Sequence, residues 1–253
     1  GSTADIDRNQ VPDGCEDCNG NGQPDWADIG RPGFIYIADQ GSDTVRVYHP
    51  RSGVLEATLG AGLLADPYDL AFDREGVLYV SSFSDDTIVR VDPDTGIASV
   101  LVSSGSGGLD RPTGIAVWTD PMVPPSEDPH VLYVASSLSN QLLQYDSQSG
   151  AFQGVLPNST SPALLGPRDL YFDEFALGLV VATANNAVLT YIGFPGMEYS
   201  TLVSPGDGGL SGVRQITLSA SFGLLACSEL SSAVLEYDLG GDFLRRFNDE
   251  YPL

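Results

Sequence analysis

Residues 77–96 read VLYVSSFSDDTIVRVDPDTG: two short runs rich in Val, Ile, Thr and Tyr, a Ser/Asp turn between them, and a Pro-Asp-Thr-Gly turn after them. β-Branched and aromatic side chains suit a pleated surface, and Gly, Pro and Asp punctuate it, so the stretch predicts two antiparallel strands. The pattern recurs as FIYIADQGSDTVRVYHPRSG at 34–53 and VLYVASSLSNQLLQYDSQSG at 131–150, then more loosely as LVVATANNAVLTYIGFPG at 179–196 and LLACSELSSAVLEYDLGG at 224–241. The second strand of each pair ends at Tyr48, Val91, Tyr145, Tyr191 and Tyr237, giving periods of 43, 54, 46 and 46 residues. The long period holds an insertion, TDPMVPPSEDP at 119–129.

Working outward, a further strand precedes each pair: PYDLAFD at 67–73, PTGIAVW at 112–118, PRDLYFD at 167–173 and VRQITLS at 213–219. Another follows: VLEATL at 54–59, ASVLVS at 98–103, FQGVLP at 152–157 and FLRRF at 243–247. Four short strands per unit, repeated near 45 residues, predict an all-β chain folded as a β-propeller of about five four-stranded blades. A β-sandwich needs no such internal period, and no helical period of 3.6 appears at any length. The first unit begins directly at its second strand, Phe34–Asp39, so the first blade is incomplete in sequence. Either five blades close with that inner strand missing or supplied by a terminus, or the array is longer. The organisation expected is a leader at 1–3, whose Gly1-Ser2 looks like a cloning scar, an acidic segment at 4–30 and a propeller at 31–253.

These repeats resemble NHL-type propellers, in Pro-x-Gly/Asp-Leu/Ile-Ala, then Leu-Tyr-Val-Ala/Ser, then Val-x-Val-Asp or its Tyr form. The resemblance covers residues 33–247. It implies the fold and is close to silent on chemistry, because this scaffold hosts binders, lyases and hydrolases alike.

The chain has 253 residues with 11 basic and 34 acidic side chains, a formal charge of −23; every basic residue is Arg. That balance repels phosphate backbones and anionic membrane surfaces, so neither nucleic acid nor membrane is expected as a partner. No apolar run approaches the roughly 18 residues of a membrane-spanning helix. No signal peptide is present in these residues. A secreted or cell-surface protein is expected, monomeric or part of a longer multidomain chain.

Residues 4–29, ADIDRNQVPDGCEDCNGNGQPDWADI, are a different kind of sequence. The twelve-residue calcium loop fits them twice without a gap. One register places Asp5, Asp7, Asn9, Val11, Asp13 and Glu16 at positions 1, 3, 5, 7, 9 and 12. The other places Asp17, Asn19, Asn21, Gln23, Asp25 and Asp28 there, with Gly22 at the sharp turn. Ca²⁺ takes six to eight oxygens, and alternate side chains along a tightly curled loop converge on one point, with the position-7 carbonyl among them. Loop one has Gln10 where the turn wants Gly, and loop two closes with Asp in place of Glu. A solvated acidic linker has a similar composition, but not a doubled register. Cys15 and Cys18 flank the junction, placed to close a short disulfide; a zinc pair lacks the second pair of ligands it needs.

The segment resembles the calcium loops of thrombospondin type 3 repeats and dockerin type I modules, as found in secreted proteins of planctomycete-like bacteria. It implies calcium as the cofactor. The helix that presents a dockerin's cohesin-binding face follows neither loop, so the implied role is structural.

In the propeller, the innermost strands begin with Tyr68 and Asp69, Thr113 and Gly114, Arg168 and Asp169, Arg214 and Gln215. Facing one channel, these form a polar, mixed-charge axial pocket; in the plainer alternative, the Asp and Arg side chains cap strand ends and pair with each other. Lactonases and hydrolases of the six-bladed type hold a channel metal with several carboxylates and an Asn, and only Asp69 and Asp169 stand at matching places. His49 sits in a turn, His130 begins a strand, and Cys227 aligns with apolar strand positions, predicting a small buried hydrophobe. No GxSxG, HExxH, Walker or dinucleotide motif occurs. Two functions follow: a non-catalytic binding or scaffolding module for a protein or glycan, and alternatively a hydrolase or lyase with its active site on the axis.

Overall fold

The computed structural model describes residues 33–118, 130–156, 164–173, 178–192, 198–219 and 223–247. They form a five-bladed β-propeller. Blade 1 has three strands, β1 (Ile35–Asp39), β2 (Thr44–Tyr48) and β3 (Leu55–Leu59). Blade 2 runs from the axis outward as β4 (Pro67–Phe72), β5 (Leu78–Ser82), β6 (Thr87–Val91) and β7 (Ala98–Val102). Blade 3 is β8 (Pro112–Trp118), β9 (Val131–Ser136), β10 (Gln141–Asp146) and β11 (Phe152–Val155). Blade 4 is β12 (Pro167–Asp173), β13 (Gly178–Thr183), β14 (Val188–Ile192) and β15 (Glu198–Val203). Blade 5 is β16 (Val213–Leu218), β17 (Leu224–Ser228), β18 (Ala233–Tyr237) and β19 (Phe243–Arg246). The repeat unit read from the sequence is thus the blade, including an outer strand in blade 4 that the loose fourth repeat does not reveal.

Every sheet is an antiparallel meander. Second strands are apolar on both faces because each blade is stacked between two others: β5, β9 and β13 are buried at every residue. Alternate side chains serve alternate interfaces. In β5, Leu78 and Val80 pack toward blade 1, whereas Tyr79 packs toward blade 3. Four apolar clusters result, one between each pair of consecutive blades from 1–2 to 4–5. Among the described residues no such cluster joins blade 5 to blade 1.

A repeated clasp ties each blade to the next. The turn after each second strand holds a residue with positive φ, at Asp43, Asp86, Asn140, Asn186 and Ser232, between 50° and 68°. Asp and Asn tolerate this left-handed conformation better than other side-chain-bearing residues. The oxygens of the first four accept the N–H of Asp66, Arg111, Gly166 and Gly212, at 2.9, 2.8, 2.7 and 2.6 Å. Each of those donors precedes the first residue of the following blade's inner strand, so a turn in one blade positions the axial strand of its neighbour. Serines at the ends of the second strands add to this: Ser82, Ser136 and Ser228 accept the N–H of Ala65, Asp110 and Ser211.

Candidate functional site at the propeller axis

Each inner strand carries a β-bulge close to its start, between Pro67 and Leu70, Pro112 and Ile115, Pro167 and Asp169, and Val213 and Ile216. A bulge leaves residues unpaired and re-aims their side chains. The axial residues singled out in the sequence sit at or beside these bulges, which is why they leave the plane of their blades. The structure divides them into two groups.

The first lines a cavity of about 500 Å³ along the axis. Asp69 and Asp169 lie there among apolar neighbours, including Phe72, Val117, Ile216 and Cys227. Asp69 is partly buried and Asp169 buried. Each clamps two blades together. Asp69 accepts the N–H of Leu70 in its own strand and of Ile115 in blade 3, both at 2.8 Å. Asp169 accepts those of Leu170 at 3.0 Å and Ile216 in blade 5 at 2.7 Å. Burial pushes both carboxyl groups above the ordinary Asp range, and the charge of Asp69 adds to the rise at Asp169. The backbone donors oppose that rise without cancelling it. Gly114 occupies the corresponding place in blade 3: a Cβ there would lie 2.5 Å from the Asp169 Cα and the Leu170 nitrogen. The backbones of β8 and β12 approach too closely for any side chain.

The second group lines an open cleft of about 500 Å³ at the end of the axis where the inner strands start, between Ile37–Gly41, Pro67, Tyr68, Arg214 and Gln215. Arg214 binds Glu229 through two nitrogens at 2.7 and 3.1 Å, and with the Tyr68 hydroxyl this raises its pKa further. The Tyr68 ring stacks on Phe83 at 5.9 Å, and Arg111 lies over the other aromatic of that pair. Two predicted pocket residues are used elsewhere. Thr113 is buried and donates to the Pro167 carbonyl, and Arg168 donates to the Val213 carbonyl at 3.1 Å. The axial set is therefore one carboxylate pair in a largely apolar channel and one Tyr/Arg cleft, with Gln215 lining both.

Neither histidine reaches either place. His49 accepts the N–H of Arg51 and Ser52 in its own turn, and His130 meets Gln148 beside blade 3's third strand. Cys227 corrects the sequence reading: it is a free, exposed thiol. Its strand position matches that of buried Ser81, but it faces blade 1, where no axial strand stands among the described residues. Partial burial and the charge of Asp169 raise its pKa, the opposite of an activated nucleophile. No group of three or more His, Cys, Asp or Glu among the described residues is placed to hold a metal ion. The twelve calcium-loop residues, Asp5 to Asp28, and the pair Cys15 and Cys18 lie outside the described residues.

No protein-family model matches the chain, and no curated protein matches it. Solved structures do. A chain of a nidogen/laminin complex is similar with a TM-score of 0.69 and 19% identity, over 87% of this chain and 77% of that one. Virginiamycin B lyase from Staphylococcus aureus is similar with a TM-score of 0.62 and 15% identity, over 87% and 67%. A catalytically inactive histidine-to-alanine form of that lyase, with quinupristin, matches at 0.62 and 16% over the same shares. At such identities the likeness establishes the fold: this chain is a β-propeller, similar in architecture to a component of a protein–protein complex and to a lyase.

Proposed function

We propose that the chain is a non-catalytic binding or scaffolding module of an extracellular protein. A protein or glycan partner meets the cleft end of the axis, and calcium is held by the acidic segment 4–29. One observation carries the first part. All four carboxylate oxygens of Asp69 and Asp169 accept backbone N–H bonds, so the chemistry at the axis is spent on joining blades. The exposed polar groups are instead at the cleft, where a half-buried Tyr68, the Arg214–Glu229 ion pair and Gln215 present a phenol, a paired guanidinium and an amide. The neighbour in the nidogen/laminin complex supports this reading.

The lyase neighbours and the raised pKa of the buried carboxyl pair favour the alternative, a hydrolase or lyase acting in the axial channel. Against it, a histidine matters to the lyase, and here His49 sits in a turn and His130 directly before β9, both outside the axial cavity and the cleft. The test is binding of the whole chain to immobilised laminin and to a neutral-glycan array, beside turnover of virginiamycin B. Binding weakened at least tenfold by Tyr68→Ala with Arg214→Ala, and kept in Asp169→Asn, is the expected result. Turnover that disappears in Asp169→Asn would overturn the reading.

The calcium part rests on ligand spacing and is tested by calorimetric titration of wild type, Asp7→Ala and Asp17→Ala. Binding lost with one loop assigns the site to it. No binding at millimolar calcium reduces the segment to an acidic linker.

A further inference from the structure

The end of the ring at which the inner strands start is not uniform. In blades 3 to 5 it carries three exposed leucines, Leu138 at 57%, Leu165 at 52% and Leu230 at 75%. Leu138 and Leu230 are equivalent, each standing two residues before the positive-φ residue of its turn, Asn140 and Ser232. Leu165 belongs to the connection that opens blade 4. Large aliphatic side chains gathered on one face of a folded protein mark a surface that meets another molecule.

These leucines stand on fixed backbone. The Leu138 N–H donates to the Asp110 carbonyl and the Leu230 N–H to the Ser211 carbonyl, at 3.3 and 3.0 Å. The Leu165 carbonyl accepts the Ala184 N–H at 2.8 Å. The Leu230 side chain lies over Gly212, where a Cβ would stand 2.7 Å from it. A surface held this way loses little freedom when a partner arrives.

Charge follows the same division. Among the described residues, those that open blades 3 to 5 and the turns beside them carry Arg111, Arg168 and Arg214 against Asp110 and Glu229. The same positions in blades 1 and 2 carry Asp43, Asp66, Asp85 and Asp86 and no Arg. In a chain with 34 acidic and 11 basic residues, the leucine arc reverses the balance. Arg168 and Arg214 both act on Glu229, whose carboxyl is held below its ordinary range by hydrogen bonds from Arg214 and by the charge of both. Arg111 lies over the Phe83 ring at the other end of the arc.

We propose that this arc docks a protein segment that presents apolar side chains among carboxylates. The inference rests on the reading of the chain as a binding module whose partner meets this end of the axis, and it chooses protein over glycan. Leucine side chains offer a sugar neither a stacking ring nor a hydrogen bond, whereas apolar anchors beside Arg are what protein interfaces are enriched in. The flanking guanidiniums favour a segment with carboxylates and give the encounter its salt dependence.

The test measures binding of the full chain to immobilised short peptides with Leu and Phe anchors, set among Asp/Glu, among Lys/Arg, or among Ser/Asn. Expected is at least about tenfold tighter binding of the acidic set, a preference that shrinks as NaCl rises from about 50 to about 500 mM. Arg111→Asn with Arg214→Gln is expected to remove the preference, and Leu138→Asp with Leu230→Asp to weaken every set. All four positions are exposed, so the fold is expected to survive. Val54→Asp with Ile97→Asp, at exposed turn positions of the opposite end, should change nothing. Equal binding of the three sets, no binding, or a preference that survives both arc variants overturns the inference and leaves the binding module standing. So does binding of neutral glycans alone, which would assign this end to a sugar. Binding lost in Val54→Asp with Ile97→Asp, and kept in the arc variants, moves the partner to the other end and overturns the reading with it.

Discussion

Leu179 and Ile35 occupy the same place in the repeat, on the second strand of a blade, facing the blade before. Leu179 is fully buried, and Ile35 is 48% exposed. The next residue on the same face repeats the contrast, with Val181 at 0% and Ile37 at 45%. Composition does not separate them, since both are large aliphatic side chains in apolar runs. What differs is the partner: Leu179 stacks on the complete four-stranded blade 3, and Ile35 lies beside an axial position that no described residue fills. In a repeat fold each unit is stabilised through its neighbours, so burial belongs to the interface.

The largest expected effect compares those two residues directly. Leu179→Ala is expected to cost about 2–5 kcal/mol, because it opens a cavity inside the cluster between blades 3 and 4. Ile35→Ala in a variant lacking residues 1–29 is expected to cost within about 0.5 kcal/mol, as exposed substitutions do. Urea unfolding of both variants makes the comparison. Equal costs in the truncated chain would mean that the 5–1 interface is packed without an added strand. A cost at Ile35 that rises toward the Leu179 value only in the full chain would mean that this edge is covered when residues 1–29 are present.

Gly114→Ala sharpens the contrast at the axis. Its Cβ would meet backbone atoms of Asp169 and Leu170 at 2.5 Å, and backbone has nowhere to move without spreading β8 from β12. Overpacking of this kind costs typically about 1–3 kcal/mol. A thermal midpoint unchanged in Gly114→Ala would show that the inner strands slide freely, and the rigid clamp at Asp169 would have to be abandoned.

The clasp allows a third comparison, between four turns that carry Asp or Asn and a fifth that carries Ser. Asn140→Ala leaves the Gly166 N–H without its acceptor and puts a plain side chain at φ 55°. Leaving a polar group unsatisfied costs about 1–3 kcal/mol. Ser232→Asn at the fifth turn, where φ is 50°, is expected to raise stability by a fraction of that, because Asn tolerates the left-handed conformation better than Ser. No change in Ser232→Asn would mean that the left-handed turn costs little with Ser in place.

The blades were legible because a period near 45 residues survives in the turns even where strand sequences drift, as at LLACSELSSAVLEYDLGG. The clasp residues follow that same period, at 43, 86, 140, 186 and 232, but a single Asp or Asn in a turn reads as local turn chemistry. Only the fold reveals that its acceptor oxygen serves a strand some 25 residues on. Asp69 and Asp169 were legible as axial residues, since both stand at the same place in the inner strand. Backbone capping by these side chains was the plainer reading, but the donors were not legible, because two of the N–H groups belong to Ile115 and Ile216, in other blades. Cys227 misled for a related reason. Its alignment with buried positions is sound, and its exposure follows from the axial position of blade 1 that no described residue fills.

The smallest expected effect concerns the pH dependence of the packed side of the ring. Asp69 and Asp169 have folded-state pKa values above the ordinary Asp value of 3.8, through burial at both and, at Asp169, through the charge of Asp69 as well. The native state therefore holds protons that the unfolded chain has already released, and stability falls as pH rises. The contribution is fully present below pH 3.8 and is lost as pH rises through the folded values, up to about 8 at Asp169. Ordinary carboxylates finish titrating by about pH 5.5, so the interval from 5.5 to 8 isolates this pair from the rest of the acidic surface. The thermal midpoint should drop over that interval, and Asp169→Asn should flatten the drop by a few degrees, at about 2–4 °C per kcal/mol for a domain of this size. The readout is the slope, because Asn disturbs one of the two backbone bonds and shifts the whole curve downward. An identical slope in Asp169→Asn and wild type would mean that both carboxylates stay ionised, held by their four N–H donors as charged clamps. The axial channel would then carry fixed negative charge at neutral pH, and the 2–3 and 4–5 interfaces would rest on charge-assisted bonds.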